Sequence, residues 1–366
     1  MDIQPFSIQI LDEQIADLKG RLANTRLPGD LANETWHYGT NQEYLQQLLI
    51  DWREHYDWRK HEAAMNRYEH YRASIEGQPL HFLHVKQGHK RALLLLGGWP
   101  WTFWDFEEVI PTLSENFDLV VPSLPGHGFS PLKRPKLGFL ATADLFHQLM
   151  SELGYEGYGV YGADWGSLIA EQMAYKYAED IIGLHTSMPF PLDFAPIPQE
   201  LWTPEEGEYA QRTALWWQYG TAYFQMHSSK PQTVAYLGDS PAAMAAWIVE
   251  KLHDWSDEDG NAYPREKMLT TLSLYWFTNT LGSSARFYAE SMQNPWQGKN
   301  DVRPVINVPT GIAAFPKEVA QVPRRWAEQY FNLKRYVRME RGGHFPAVEN
   351  PAGLASEIRT FFQSLG

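Results

Sequence analysis

The sequence predicts an α/β architecture: a mostly parallel central sheet flanked by helices, with an inserted helical lid and an N-terminal meander. Three observations predict it. From residue 73 onward, short apolar runs broken by glycine alternate with helical patterns, which is the texture of parallel strands joined by crossover helices. Between about 191 and 297 the strand signal gives way to helical periodicity, and it returns afterwards. The first 72 residues place Leu11, Ile15, Leu18 and Leu22 at helical spacing but hold few segments that could close a core of their own. The expected division is therefore 1–72 meander, 73–190 first part of the core, 191–297 lid and 298–366 second part of the core.

Taken in order, the meander carries that helix, then Leu27-Pro28 and an aromatic stretch from Trp52 to Tyr56, and reads as an arm draped over a larger body. Residues 79–85, 91–96, 118–121, 158–161 and 181–185 read as strands. In the lid, Ser240-Pro241 supplies an N-cap and first-turn proline before an apolar run that starts at Ala242. Residues 305–315 and 336–339 resume the strand pattern, and a terminal helix follows Pro351. A sheet interrupted by a lid puts a pocket between the two lobes, outside the carboxyl ends of the strands.

Composition narrows the chemistry. The chain has 366 residues, 44% hydrophobic and 20% charged, and a formal charge of -13 that repels a phosphate backbone and argues against nucleic acid. Cysteine is absent, so disulfides, thiolate metal sites and a Cys nucleophile are impossible. Catalysis must use oxygen or nitrogen groups. Neither a secretion signal nor a membrane anchor is read at the N-terminus, so a soluble, cytoplasmic protein is expected and the sequon at Asn33 is a chance match. Aromatic residues make up 14% of the chain, enough to build a wide apolar cavity as well as a core.

The reactive centre is expected at Gly162-Ala163-Asp164-Trp165-Gly166-Ser167, which follows directly on a strand and opens a helix. Small residues two before and two after a central residue are what a sharp strand-to-helix turn requires, because side chains there would collide. The central residue is Asp164, and Gly-x-Ser-x-Gly occurs nowhere, which disfavours a serine esterase. A carboxylate there would attack an sp3 carbon and form an alkyl ester; taken alone, an Asp in this place could equally cap the helix. Context favours the nucleophile. Gly97-Gly98-Trp99-Pro100 ends a strand and can aim the Trp99 amide at the site, with the Trp165 amide as a second oxyanion donor. Among 13 histidines, His344 alone follows a Gly-Gly loop after a late strand, so it is the expected general base. Its carboxylate partner is expected to be Glu318, with Asp193 as the fallback. The chain order nucleophile, acid, histidine is that of the α/β-hydrolase fold.

These residues resemble the epoxide hydrolases of that fold, in particular the microsomal and juvenile-hormone type, over nearly the whole chain. The segment from Ile3 to Pro28 is similar to that family's N-terminal meander, Gly162 to Ser167 to its nucleophile elbow, Val308 to Glu318 to its acid segment, and Arg341 to Phe345 to its histidine loop. The resemblance implies a roof of two lid phenols, Tyr223 and Tyr288, that hydrogen-bond the epoxide oxygen and protonate it as the ring opens. Without it either tyrosine reads as lid packing. Trp101, Trp165, Phe224 and Phe345 are expected to line the substrate site. The sequence departs from the family where Gly97 replaces a histidine and Trp101 stands at a position normally small; a cis Trp99-Pro100 bond is expected.

The expected reaction is opening of an epoxide to a vicinal diol through an ester on Asp164, without cofactor or metal. Expected partners are a small apolar or aromatic epoxide and a second copy of the chain as a homodimer, with the oligomeric state left open. Haloalkane dehalogenation with the same nucleophile, the Trp165 indole binding halide, is the nearest rival, and a catalytically silent ligand-binding protein is another. Trp216, Trp217, Tyr275, Trp276 and Phe277 point to bulky apolar or aryl substrates, or to core. Gly126-His127-Gly128 reads as a structural turn, His61-Glu62 lacks the second ligand of a metal motif, and Asp257-Glu258-Asp259 reads as a solvated loop.

Overall fold

The computed structural model describes residues 2–190, 197–296 and 303–366. Its centre is a nine-stranded sheet formed by β1 (Ile3–Phe6), β2 (His70–Ile75), β3 (Gln78–Val85), β4 (Ala92–Leu96), β5 (Asp118–Pro122), β6 (Tyr158–Gly162), β7 (Ile181–Thr186), β8 (Ile306–Ala314) and β9 (Phe331–Arg338). The spatial order is β1-β2-β3-β5-β4-β6-β7-β8-β9. Pairs from β5 through β9 are parallel, whereas β1, β2, β3 and β5 pair antiparallel at one edge. Every residue of β4, β5 and β6 is buried, as strands covered on both faces must be. Gly159 of β6 faces Phe362 of the helix Pro351–Ser364, and Gly162, three residues on and hence on the opposite face, meets the helix Trp165–Lys176.

Two expectations about strands are corrected. The meander is not only an arm, because β1 pairs with β2 and the two extend the sheet by an antiparallel edge. Pro5 sits in β1, where an edge strand tolerates the missing donor. The last strand starts at Phe331 rather than 336. It lies at the other edge and is only half-buried, so Lys334 and Arg335 interrupt the apolar run that a central strand would show.

The rest of the meander packs on the helices that lie between β7 and β8. Trp52 is buried and its indole N–H donates to Ser273 Oγ at 2.9 Å, Thr40 Oγ1 donates to the Ala246 carbonyl at 2.7 Å, and the Trp58 ring meets Phe277 edge-on at 5.0 Å. Asn33 is buried and its amide oxygen accepts the Tyr38 amide. Residues 197–296 are helical, with no strand among the described residues, and Ser240 caps the helix Pro241–Asp254 by accepting the Ala243 amide. Among the described residues, no helix is long and apolar enough to cross a membrane.

Candidate active site

The turn between β6 and the helix Trp165–Lys176 is as tight as its sequence requires. A Cβ on Gly166 would lie 2.3 Å from the Leu96 carbonyl oxygen, so no larger residue fits. Asp164 itself adopts φ 54° and ψ -130°, a strained conformation for a non-glycine residue, of the kind that concentrates at functional sites. Its side chain makes no capping bond to the helix, which removes the reading of Asp164 as a mere cap. Instead the two carboxylate oxygens face different partners. Oδ1 accepts the Trp99 amide at 2.7 Å, and Oδ2 lies 3.3 Å from His344 Nε2. Trp99-Pro100 is cis, as expected. The Trp165 amide starts the helix beside Oδ1: the space a Gly98 Cβ would take is 1.8 Å from Oδ1 and 2.6 Å from that nitrogen.

His344 follows β9, and Glu318 follows β8. The Glu318 carboxylate accepts the His344 Nδ1–H at 2.7 Å and also the Val319 amide at 2.7 Å, and both side chains are almost wholly buried. Nδ1 therefore carries a proton and Nε2 points its other face to Asp164. Burial opposes a charge on this imidazole, but the Glu318 and Asp164 carboxylates outweigh it and raise His344 to about 10. Asp193 lies outside the described residues.

Above Asp164 stand Tyr223, from the helix Ala222–Ser229, and Tyr288, from the helix Leu281–Gln293, with rings 6.0 Å apart. Both are buried. Burial, reinforced by the Asp164 carboxylate, pushes the Tyr223 phenol far up, and burial with Tyr223 and Asp164 does the same to Tyr288. Phenols held protonated are donors, and the Tyr288 hydroxyl has no well-formed hydrogen bond among the described residues. Trp99 stacks on Tyr223 at 5.5 Å, and Trp165 meets Tyr288 edge-on at 4.8 Å. A carboxylate, a buried acid–imidazole pair and two protonated phenols thus converge on one space.

Residues 3–106 match the family model described as epoxide hydrolase N terminus, and residues 91–351 match that of the alpha/beta hydrolase fold. The chain is 37% identical to a putative epoxide hydrolase of Stigmatella aurantiaca, over 99% of this chain and 85% of that one. It is 35% identical to epoxide hydrolase 1 of Sus scrofa, over 98% of this chain and 88% of that one. This chain is an epoxide hydrolase. The epoxide hydrolase of Aspergillus niger superposes with a TM-score of 0.89 at 30% identity, covering 100% of this chain and 97% of that one. The juvenile hormone epoxide hydrolase of the silkworm Bombyx mori gives 0.90 at 30% identity, covering 100% and 95%. The α/β-hydrolase fold and epoxide hydrolysis, rather than dehalogenation or silent binding, follow from this membership.

Within the epoxide hydrolase, the two departures at Gly97 and Trp101 prove to be one. A Cβ on Gly97 would sit 3.0 Å from the Trp101 ring, so the indole occupies the room that a side chain at 97 would need. Trp101 is buried against Phe106, Phe345 and His344, with centroids at 5.8, 5.7 and 6.3 Å. Phe345 is fully buried behind the histidine, and Phe224 is half-buried with its ring 5.3 Å from Tyr288. Of the other aromatics singled out, Trp217 packs on Phe224 and Trp216 on Trp217, while Tyr275 donates to the Trp101 carbonyl at 3.2 Å. Trp276 and Phe277 face the meander, under Arg21 and against Trp58.

Sequence reasoning missed the clamp that holds the histidine loop. Asp257 is more than a solvated loop residue: it stays partly exposed, beside an exposed Glu258, but its Oδ2 accepts the Gly342 amide at 2.8 Å. The Trp255 carbonyl accepts the His344 amide at 2.9 Å. Glu349 accepts three amides, from Asp257, Gly343 and Phe345, at 2.7 to 2.9 Å. The loop at 255–257 and the histidine loop are therefore one hydrogen-bonded unit. His227 was also missed. It is buried, accepts the Trp247 indole N–H at 3.0 Å and sets its ring 4.8 Å from Tyr288. Little in their local sequence marks these residues, because the bonds that join the two loops, Asp257 to Gly342 and to Glu349, link positions 85 and 92 apart.

Proposed function

We propose that Asp164 Oδ2 attacks one oxirane carbon while Tyr223 and Tyr288 hydrogen-bond the epoxide oxygen. The carbon–oxygen bond breaks, its electron pair stays on that oxygen, and a phenol proton neutralises it. The product of this step is an alkyl ester of Asp164. Water then attacks the ester carbonyl as His344, oriented by Glu318, takes its proton; the Trp99 and Trp165 amides hold the oxyanion on Oδ1, and the diol leaves. As the tetrahedral intermediate collapses, the bond from its carbon to the diol oxygen breaks and the remaining water proton passes to that oxygen. The proton that His344 sheds when the ester forms returns to the phenolate, so the reaction balances with water alone.

One observation carries this reading: the division of labour between the two Asp164 oxygens. Oδ1 already accepts the Trp99 amide, so it is the atom that becomes the ester carbonyl oxygen, and Oδ2 is left as the nucleophile. The aromatic surroundings, with Trp101, Trp165, Phe224 and Phe345 as substrate-site residues, favour small apolar or aryl epoxides. The pocket is assigned to the junction of a core built from 73–190 and 298–366 with a lid at 191–297, the meander 1–72 bracing the lid. A cytoplasmic enzyme, with a second copy of the chain as its homodimer partner, suits such a substrate. A single turnover of styrene oxide in heavy-oxygen water tests the chemistry. The first diol should carry unlabelled oxygen from Asp164, and label in that first product would overturn the ester.

A further inference from the structure

Lys251 stands where a lysine is costly. It lies on the buried side of the helix Pro241–Asp254 with Ile248 and Leu252, and is 4% exposed. Its ammonium has one close carboxylate, Glu250 at 2.9 Å, and Asp254 is the other acid that acts on it. Two aromatic rings also face it: Nζ lies 4.7 Å from the Trp247 ring centroid and 5.4 Å from that of Tyr223. Both distances fall within the reach of a cation–π contact, which strengthens away from water. Trp247 donates in turn to His227, whose ring edges Tyr223 and Tyr288 at 5.6 and 4.8 Å. Burial lowers the Lys251 ammonium from its ordinary value while Glu250 and Asp254 act to keep it charged, and the amine is thus set against the ring of one of the two lid phenols.

We propose that Lys251 is a positioning residue for ring opening, its charge stabilising the electron density that Tyr223 gains as it gives its proton to the epoxide oxygen. This rests on the reading of Tyr223 as a proton donor. When the carbon–oxygen bond breaks, the oxygen keeps the electron pair and takes the phenol proton; the pair left on the phenol spreads into the ring that Lys251 faces. Ester hydrolysis at Asp164 makes no such demand on Tyr223, so the effect belongs to the first step alone.

Single turnovers of styrene oxide, followed by rapid quench and mass spectrometry of the ester, test this in Lys251→Met, Lys251→Arg, Tyr223→Phe and the Lys251→Met/Tyr223→Phe double variant. Lys251→Met keeps the length and removes the charge, and should slow ester formation roughly tenfold, with ester hydrolysis unchanged. Lys251→Arg should restore most of that loss, and in the Tyr223→Phe background Lys251→Met should have no further effect. Lys251→Gln provides the neutral variant if Lys251→Met does not fold. Ester formation as fast as wild type in a folded neutral variant overturns the proposal. So does equal slowing of both steps, an Arg variant no better than Met, or additivity with Tyr223→Phe. Should Tyr223→Phe itself leave ester formation unchanged, the reading of Tyr223 as the donor fails; if it slows that step while the neutral Lys251 variants do not, only the role of Lys251 fails.

Discussion

Forming the ester should switch His344 from an acid to a base. In the resting enzyme the imidazole is held at about 10, so below that pH it is the imidazolium and cannot accept a proton from water. Alkylation turns Asp164 into a neutral ester and deletes one of the two carboxylates that hold the charge. At the observed 3.3 Å separation and an effective dielectric of about 20, that attraction is about 5 kcal/mol, or between about 3 and 4 pH units. The imidazole in the ester should therefore titrate at ~6–7, since Glu318 remains. Hydrolysis of the ester should rise with pH through that range and stay flat above it. The assay is a set of single turnovers of styrene oxide between pH 5.5 and 10.5, with the rise and decay of the ester on Asp164 followed by rapid quench and mass spectrometry. A decay rate that climbs only near pH 10, where the free enzyme loses its proton, would refute the reasoning, because the ester would then have changed nothing at Nε2.

Further outcomes follow from particular contacts. Gly98→Ala places a methyl group 1.8 Å from Asp164 Oδ1, so it should slow ester formation by at least ~10²-fold in the same single-turnover assay. Glu318→Gln removes the charge that orients and sustains His344; hydrolysis should fall ~10²–10⁴-fold with the ester accumulating, while ester formation changes little. Trp52→Ala empties a buried site and breaks the bond to Ser273, which should cost about 3–5 kcal/mol in urea unfolding with the midpoint lowered accordingly.

The parts of the site that were legible in the sequence are those where backbone geometry dictates residue type at a fixed offset. The elbow is such a place: a turn that brings Gly166 against the Leu96 carbonyl admits only small residues at its flanks, so the reactive residue between them stands out. His344 was legible because a Gly-Gly loop precedes it at the end of a strand, and Glu318 because it follows the strand before. The strands covered on both faces were legible for a similar reason, since burial on both sides demands an unbroken apolar run. Edge strands escape that demand. β1 is four residues long and contains Pro5, and β9 is broken by the adjacent charges Lys334 and Arg335, so neither shows the pattern that marked β4 or β5.

What stayed hidden is coupling between residues far apart in sequence. Asp257 looks like one of several acids in a loop until its carboxylate is found on the Gly342 amide, 85 residues away. Gly97 and Trp101 look like two separate losses until the ring of one is found in the space of the other. The aromatic run Tyr275-Trp276-Phe277 shows most plainly why composition misleads. Successive helical residues point about 100° apart. One side chain therefore reaches the Trp101 carbonyl while the next two turn to the meander, and a cluster in sequence is dispersed in space. Tyr223 and Tyr288 are the converse: 65 positions apart on different helices, they converge over one carboxylate. The aromatic surround of Asp164 is therefore assembled by helix packing, and substrate range should respond to substitutions at Phe224, Trp165 and Tyr288 rather than at Trp276 or Phe277, however aromatic their neighbourhood in the sequence.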